Sequence, residues 1–234
     1  TYYRTEGSKK VAFLSHGYHA GGMYDMARFV PFYQNNGYNC VIVDHRSHGK
    51  SEGVYTTMGV LEQEDCLDWL DKILEDFGDD IEIVLHGVSM GASVCGLMAG
   101  NKRLPKQVKR VVMDSGFESV ISEIAYQIGE QTRFPVELTI WVLHIFTRSR
   151  GKFSMNQGNV TRAVRKSPVP VLFIHGTEDK TVPLTHSRKM FEECDNGVRF
   201  FEAENMKHVQ AYVYQKEKYE YELQKFLKGE FDEK

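Results

Sequence analysis

The sequence predicts an α/β fold: a doubly wound, mostly parallel sheet carrying a small helical cap inserted before the penultimate strand. Two observations lead there. Six short apolar runs recur along the chain with amphipathic stretches of helical length between them, which is the pattern of buried parallel strands joined by crossover helices. One interval, between Ser115 and Pro168, is about fifty residues long, too long for a simple crossover and long enough for an inserted helical unit.

Taken in order, the first strand is VAFLSHG (11–17), followed by a helical stretch from Met23 to Asn36. The second strand, CVIVDHR (40–46), runs into a glycine-rich loop and then a helix from Leu61 to Phe77. In that helix Leu67, Leu70, Ile73, Leu74 and Phe77 share a face, while Glu64, Asp68, Lys72 and Glu75 face water. IEIVLHG (81–87) leads into a small-residue helix from Met90 to Gly100, and VKRVVMDSG (108–116) ends the first half. Within the long interval, PVELTIWVLHIF (135–146) forms an apolar helix led by Pro135 at a first-turn position. It reads as a cap lining a binding pocket, the bland alternative being a helix packed on the core. PVLFIHG (170–176), a helix from Leu184 to Cys194, VRFFEAEN (198–205) and a helix from His208 to Lys228 complete the set. The core is thus expected over 1–116 and 168–234, with the cap over 117–167.

Composition bounds the class. A chain of 234 residues with 41% hydrophobic and 26% charged residues suits one large globular domain. A net charge of -3 offers no broad attraction to nucleic acid or to a lipid surface, so neither partner is expected. Cys40, Cys66, Cys95 and Cys194 lack C-x-x-C spacing, which points to ordinary reduced thiols. No apolar run reaches the ~18 residues of a membrane span and no signal peptide is visible. A cytoplasmic setting is the expectation, although the chain begins at Thr1 rather than Met, which leaves room for an anchored or exported form. Nothing bears on oligomeric state.

Two stretches share the pattern Gly-x-Ser-x-Gly: HGVSMG (86–91) and HGKSEG (48–53). The first joins a strand directly to a helix, the sharp turn that exposes a nucleophilic serine over a helix N-terminus. Ser89 is therefore the candidate nucleophile. Ser51 lies in a loop some residues past a strand end. A phosphate-loop reading of GKS fails as well, because that motif needs Gly where Asp44 stands.

A serine nucleophile needs a base and an orienting acid, in the chain order Ser, acid, His. Asp179, in the loop after PVLFIHG, is the candidate acid, with Asp114 and Glu178 as rivals, and His208, in MKH after VRFFEAEN, is the candidate base. His175, at a strand end, reads as a structural hydrogen-bonding residue. Two N–H groups should hold the developing oxyanion: that of Met90, next after the nucleophile, and that of Tyr18 in the loop HGYHAGG (16–22), which His16 braces. His16 with His19, and His45 with His48, have H-x-x-H spacing but no third ligand, so no metal and no cofactor are expected.

With SHGYHAGG, DHRSHGKSEG, HGVSMGA, HGTEDKTVP and MKH in place, the chain resembles the α/β-hydrolase superfamily over nearly its whole length. More narrowly, it is similar to bacterial serine hydrolases of the cinnamoyl/feruloyl esterase and related carboxylesterase type with a short helical cap. The D-x-R-x-H-G-x-S stretch is a recurring structural loop in that superfamily, which accounts for the second Gly-x-Ser-x-Gly; Ser47 departs from the glycine often found there. The resemblance implies two antiparallel strands ahead of VAFLSHG, so TYYR reads as the tail of the second and the start of the fold as missing. It also implies an acyl-enzyme route on a small-molecule ester, with Trp141, Ile140 and Leu143 of the cap lining an apolar acyl or aryl pocket. Peptidases, thioesterases and acyltransferases share these motifs and stay open, as does a binding module without turnover. Activity carried by His208 should fall below about pH 6 to 7.

Overall fold

The structure, a computed structural model, describes residues 1–231. Among these, seven strands form one sheet: β1 (Tyr2–Tyr3), β2 (Lys10–Ser15), β3 (Tyr38–Val43), β4 (Glu82–Val88), β5 (Val108–Asp114), β6 (Val171–Gly176) and β7 (Gly197–Ala203). Their spatial order is β1-β3-β2-β4-β5-β6-β7. All neighbouring pairs are parallel except β1 with β3, where Tyr2 lies opposite Val41 in an antiparallel register. The six parallel strands therefore end on one edge, and the segments that leave that edge build the site.

Alternation of side chains explains why these strands read as unbroken apolar runs. Val11 and Phe13 of β2 join one core with Val41, Leu85, Val111 and Phe173, while Ala12 and Leu14 join the other with Ile42, Val84, Val112 and Ile174. Both faces are covered, so neither parity of residue meets water. The first core is closed by α3 (Glu62–Phe77), α4 (Met90–Ala99) and α8 (Leu184–Glu193). The second is closed by α1 (Gly22–Met26), α2 (Val30–Asn35), α9 (Ala211–Tyr214) and α10 (Lys216–Lys228).

Two expected helices are divided. The stretch from Met23 to Asn36 passes through a 3-10 turn at Ala27–Phe29, because Pro31 has no N–H to offer the Ala27 carbonyl. The stretch from His208 to Lys228 becomes α9 and α10, with His208 ahead of both in a loop. There Val209 takes a φ of 53° and Gln215 a φ of -125°, neither of them helical.

The β5–β6 interval holds three α-helices, α5 (Val120–Gln131), α6 (Val136–Ser149) and α7 (Val160–Val164), with a 3-10 turn at Met155–Gly158; α5 and α7 escape the sequence pattern. Each opens on a side-chain cap: the Ser122 N–H donates to Ser119 Oγ at 3.0 Å, and the Arg162 N–H donates to Asn159 Oδ1 at 2.8 Å. Ser119 and Asn159 also pair as an isolated antiparallel bridge, so the chain leaves and re-enters the core at one neck. Pro135 is the N-cap of α6 rather than its first helical residue. Among the described residues no helix is long and apolar enough to cross a membrane.

Candidate active site

The turn between β4 and α4 sets Ser89 at φ 54° and ψ -123°, a region that non-glycine residues rarely occupy. What forces the turn is the closeness of its flanks. A Cβ at Gly87 would run into the Gly91 carbonyl, and one at Gly91 would run into the Ser15 and His16 carbonyls of β2 and its loop. Only glycine fits at both places. The Ser89 N–H is fixed to the Asp114 carbonyl at 2.8 Å, and the hydroxyl stands half-buried at the common strand edge.

Two other loops reach that hydroxyl. His208 Nε2 lies 2.8 Å from Ser89 Oγ, and His208 Nδ1 lies 2.7 Å from Asp179 Oδ2. Asp179 follows β6 and is buried; its Oδ1 accepts the N–H groups of Thr181 at 2.9 Å and Val182 at 3.0 Å. Burial opposes its ionisation, but hydrogen bonds from His175 and His208 outweigh that cost and hold the carboxyl well below the usual carboxylate range. An ionised Asp179 can only accept, which puts the imidazole proton on Nδ1 and leaves Nε2 free to accept from Ser89. The arrangement can therefore draw a proton from a serine hydroxyl into a histidine whose charge has a partner.

His175 proves more closely involved than its position at a strand end indicates. Its Nε2 faces two acceptors, the Val182 carbonyl at 2.9 Å and Asp179 Oδ2 at 3.2 Å, so that nitrogen carries a proton, while Nδ1 lies 2.7 Å from Ser187 Oγ. Asp179 thus sits between two imidazoles. Asp114, a rival for the acid, is instead buried among Ser115 Oγ and the Tyr219 hydroxyl, and burial raises its carboxyl above the ordinary value. The neighbouring Tyr219 and Tyr33 hydroxyls flank His86 at 3.1 and 3.0 Å, a polar chain under the turn that no local motif announces.

The loop after β2 lies against the serine: a Cβ at Gly17 would meet Ser89 Cβ at 3.2 Å. Asp25 of α1 anchors the loop by accepting the Gly17 N–H at 2.9 Å, and His16 braces it. His45 N–H donates to His16 Nε2 at 2.9 Å, so His16 Nδ1 carries the proton and donates to the Gly17 carbonyl at 2.6 Å. Met90, the first residue of α4, has no intrahelical acceptor for its N–H, and neither it nor the Tyr18 N–H meets an acceptor among the described residues.

The second serine is differently placed. Ser51 Oγ donates to the Asp44 carbonyl at 2.7 Å, while the nearby His48 is engaged with the Arg46 carbonyl and the His19 N–H. Among the described residues no group of three or more His, Cys, Asp or Glu is placed to hold a metal ion. The structure does not bring Trp141, Ile140 and Leu143 together. Ile140 and Leu143 pack inward against the first core, whereas Trp141, one residue on and so about 100° around the helix, is 61% exposed. A hollow of about 660 Å³ lies elsewhere, between the loop after β3 and α3, lined by Arg46, Tyr55, Asp65 and Trp69 among others.

Known proteins share this framework. The model of the alpha/beta hydrolase fold family matches residues 13–138. The Bacillus subtilis protein YqkD is 26% identical over 86% of this chain, and the match spans 65% of that protein's length. Among solved structures, the Pyrococcus furiosus esterase Pf2001 superposes with a TM-score of 0.74 at 23% identity, over 95% of this chain and 82% of its own. Est1E of Butyrivibrio proteoclasticus, solved with ferulic acid bound, superposes with a TM-score of 0.75 at 19% identity, over 98% of this chain and 94% of its own.

Proposed function

The chain belongs to the α/β-hydrolase fold family, and from that premise we propose that it is a serine hydrolase cleaving carboxylic esters of small acyl or aryl substrates. One observation carries the reading: the unbroken hydrogen-bond chain from Ser89 through His208 to an ionised Asp179. His208 takes the Ser89 proton as Oγ attacks the acyl carbon, and returns it to the leaving alcohol. The acyl-serine is then released by water that the same imidazole deprotonates. Asp179 holds the Nδ1 tautomer and offsets the imidazolium charge rather than accepting the proton. The N–H groups of Tyr18 and Met90 receive the oxyanion, each worth about 3 kcal/mol in the transition state. No step requires a cofactor, since side chains carry every proton.

The substrate class rests on the neighbours' own descriptions, an esterase and a protein binding ferulic acid, carried over here as part of the proposal. It is tested with a chain-length series of p-nitrophenyl esters and a methyl hydroxycinnamate, comparing the native chain with Ser89→Ala. Turnover of short or aryl esters, lost in the variant, is the expected result. Turnover that survives the substitution would remove Ser89 from the mechanism, and cleavage only of an amide or thioester would reassign the substrate class.

A further inference from the structure

The face of α6 turned away from the core is mainly apolar from Leu138 to Phe146. Leu138, Trp141, Val142, Ile145 and Phe146, preceded by Phe134, are all among the exposed large hydrophobic side chains, and their spacing of three and four residues sets them on one side of the helix. An amphipathic helix packed on a core exposes its polar side; this one exposes a second apolar side, with Ile140 and Leu143 already filling the inner one. Such a surface marks a docking site.

Its surroundings have the same character. Of the fifteen exposed large hydrophobics among the described residues, all but Trp69 and Tyr221 lie on the short segments after β2, β3 and β7 or on the β5–β6 interval. Tyr24 at 87% and Val54 at 91% exposure are the extremes. The helices are fixed to this edge: the Tyr55 hydroxyl donates to the Gly151 carbonyl at 3.2 Å, and Gln127 Nε2 donates to the Thr181 carbonyl beside Asp179 at 2.7 Å. The apolar face and the candidate site thus share one side of the molecule.

Charge selects the occupant. The chain as a whole carries -3, yet the stretch from 130 to 152 holds Arg133, Arg148, Arg150 and Lys152 against Glu130 and Glu137. All four cations are exposed, and none pairs with a carboxylate among the described residues. A second copy of an acidic chain has its own basic patch to repel, whereas an anionic bilayer meets both the apolar face and the cations. At 14 residues, about 21 Å long, α6 suits lying along a bilayer rather than crossing it.

We propose that α6 docks the protein on an anionic lipid surface, apolar face inward and Arg148, Arg150 and Lys152 at the headgroups, with the candidate site facing the bilayer. This is independent of the Ser89 chemistry and is read by binding alone. Flotation of the intact chain with phosphatidylcholine vesicles, with and without phosphatidylglycerol, tests it. Expected are capture by the anionic vesicles that weakens as salt rises, and weaker capture by pure phosphatidylcholine. The double variant Leu138→Ser with Ile145→Ser should bind at least tenfold less, and Arg148→Gln with Arg150→Gln about fivefold less per charge removed. Both alter exposed side chains, and native circular dichroism and urea midpoints would show that they fold. Absence of capture by anionic vesicles, or undiminished binding by the folded apolar variant, would overturn the proposal. So would light scattering that reveals a dimer dissolved by the same apolar variant, since a second copy would then cover the face.

Discussion

At the scale of single residues, the weight of the account falls on the tautomer of His208. Asp179 lies below the usual carboxylate range, so it stays ionised at any ordinary assay pH and keeps the proton on Nδ1. Asp179→Asn preserves size but presents an amide that can donate, which favours the wrong tautomer; kcat should drop by about 10⁴. Single-turnover kinetics on a p-nitrophenyl ester, with the urea midpoint as a folding control, measure it. A drop of less than about tenfold would assign the orienting role to another acid. That Ser89, Asp179 and His208 stand in the segments after strands was readable from sequence, because each follows an apolar run within a few residues. His175 was legible only as a structural hydrogen-bonding residue, and the contact of Asp25 with Gly17 not at all, because the turns that bring Asp179 back to His175 and Asp25 back to Gly17 have no sequence motif.

At the scale of elements, the β4–α4 turn is the most constrained feature, since its two glycines face backbone carbonyls that cannot rotate aside. Gly91→Ala should therefore destabilise the fold by about 3 kcal/mol or abolish soluble expression, read from urea unfolding and yield. Retained stability would mean that the β2–α4 approach is looser than described. The same elements show where sequence pattern stops. The strands were legible because apolar residues on both parities admit few other folds. The helices between β5 and β6 were legible only in part: α6 is apolar enough to be noticed, while α5 and α7 depend on the caps Ser119 and Asn159, which resemble ordinary loop residues. Trp141 illustrates a further limit, for a helix with apolar residues on both sides, as in VELTIWVLHIFTRS, gives no clear phase from which to tell the inner face from the outer.

At the scale of the whole molecule, buried imidazoles couple the fold to pH. His16, His45, His86 and His186 are all depressed chiefly by burial, His86 to about 3 with Arg28 adding to the effect. Each binds its proton more readily when unfolded, near pH 6.5, so the stability it contributes is complete above that value and is lost as pH falls toward the folded value. For His86 alone the slope approaches about 1.4 kcal/mol per pH unit. Urea midpoints should fall steadily as pH is lowered from about 7.5 to about 4.5, and His86→Gln should flatten part of that fall; parallel curves for the two proteins would contradict it. The measurement that tests the central claim most directly is labelling with a fluorophosphonate, followed by intact mass and peptide mapping. One adduct per chain is expected, on Ser89, absent from Ser89→Ala and slowed in His208→Ala. An adduct on Ser51, or none on the folded protein, would contradict it.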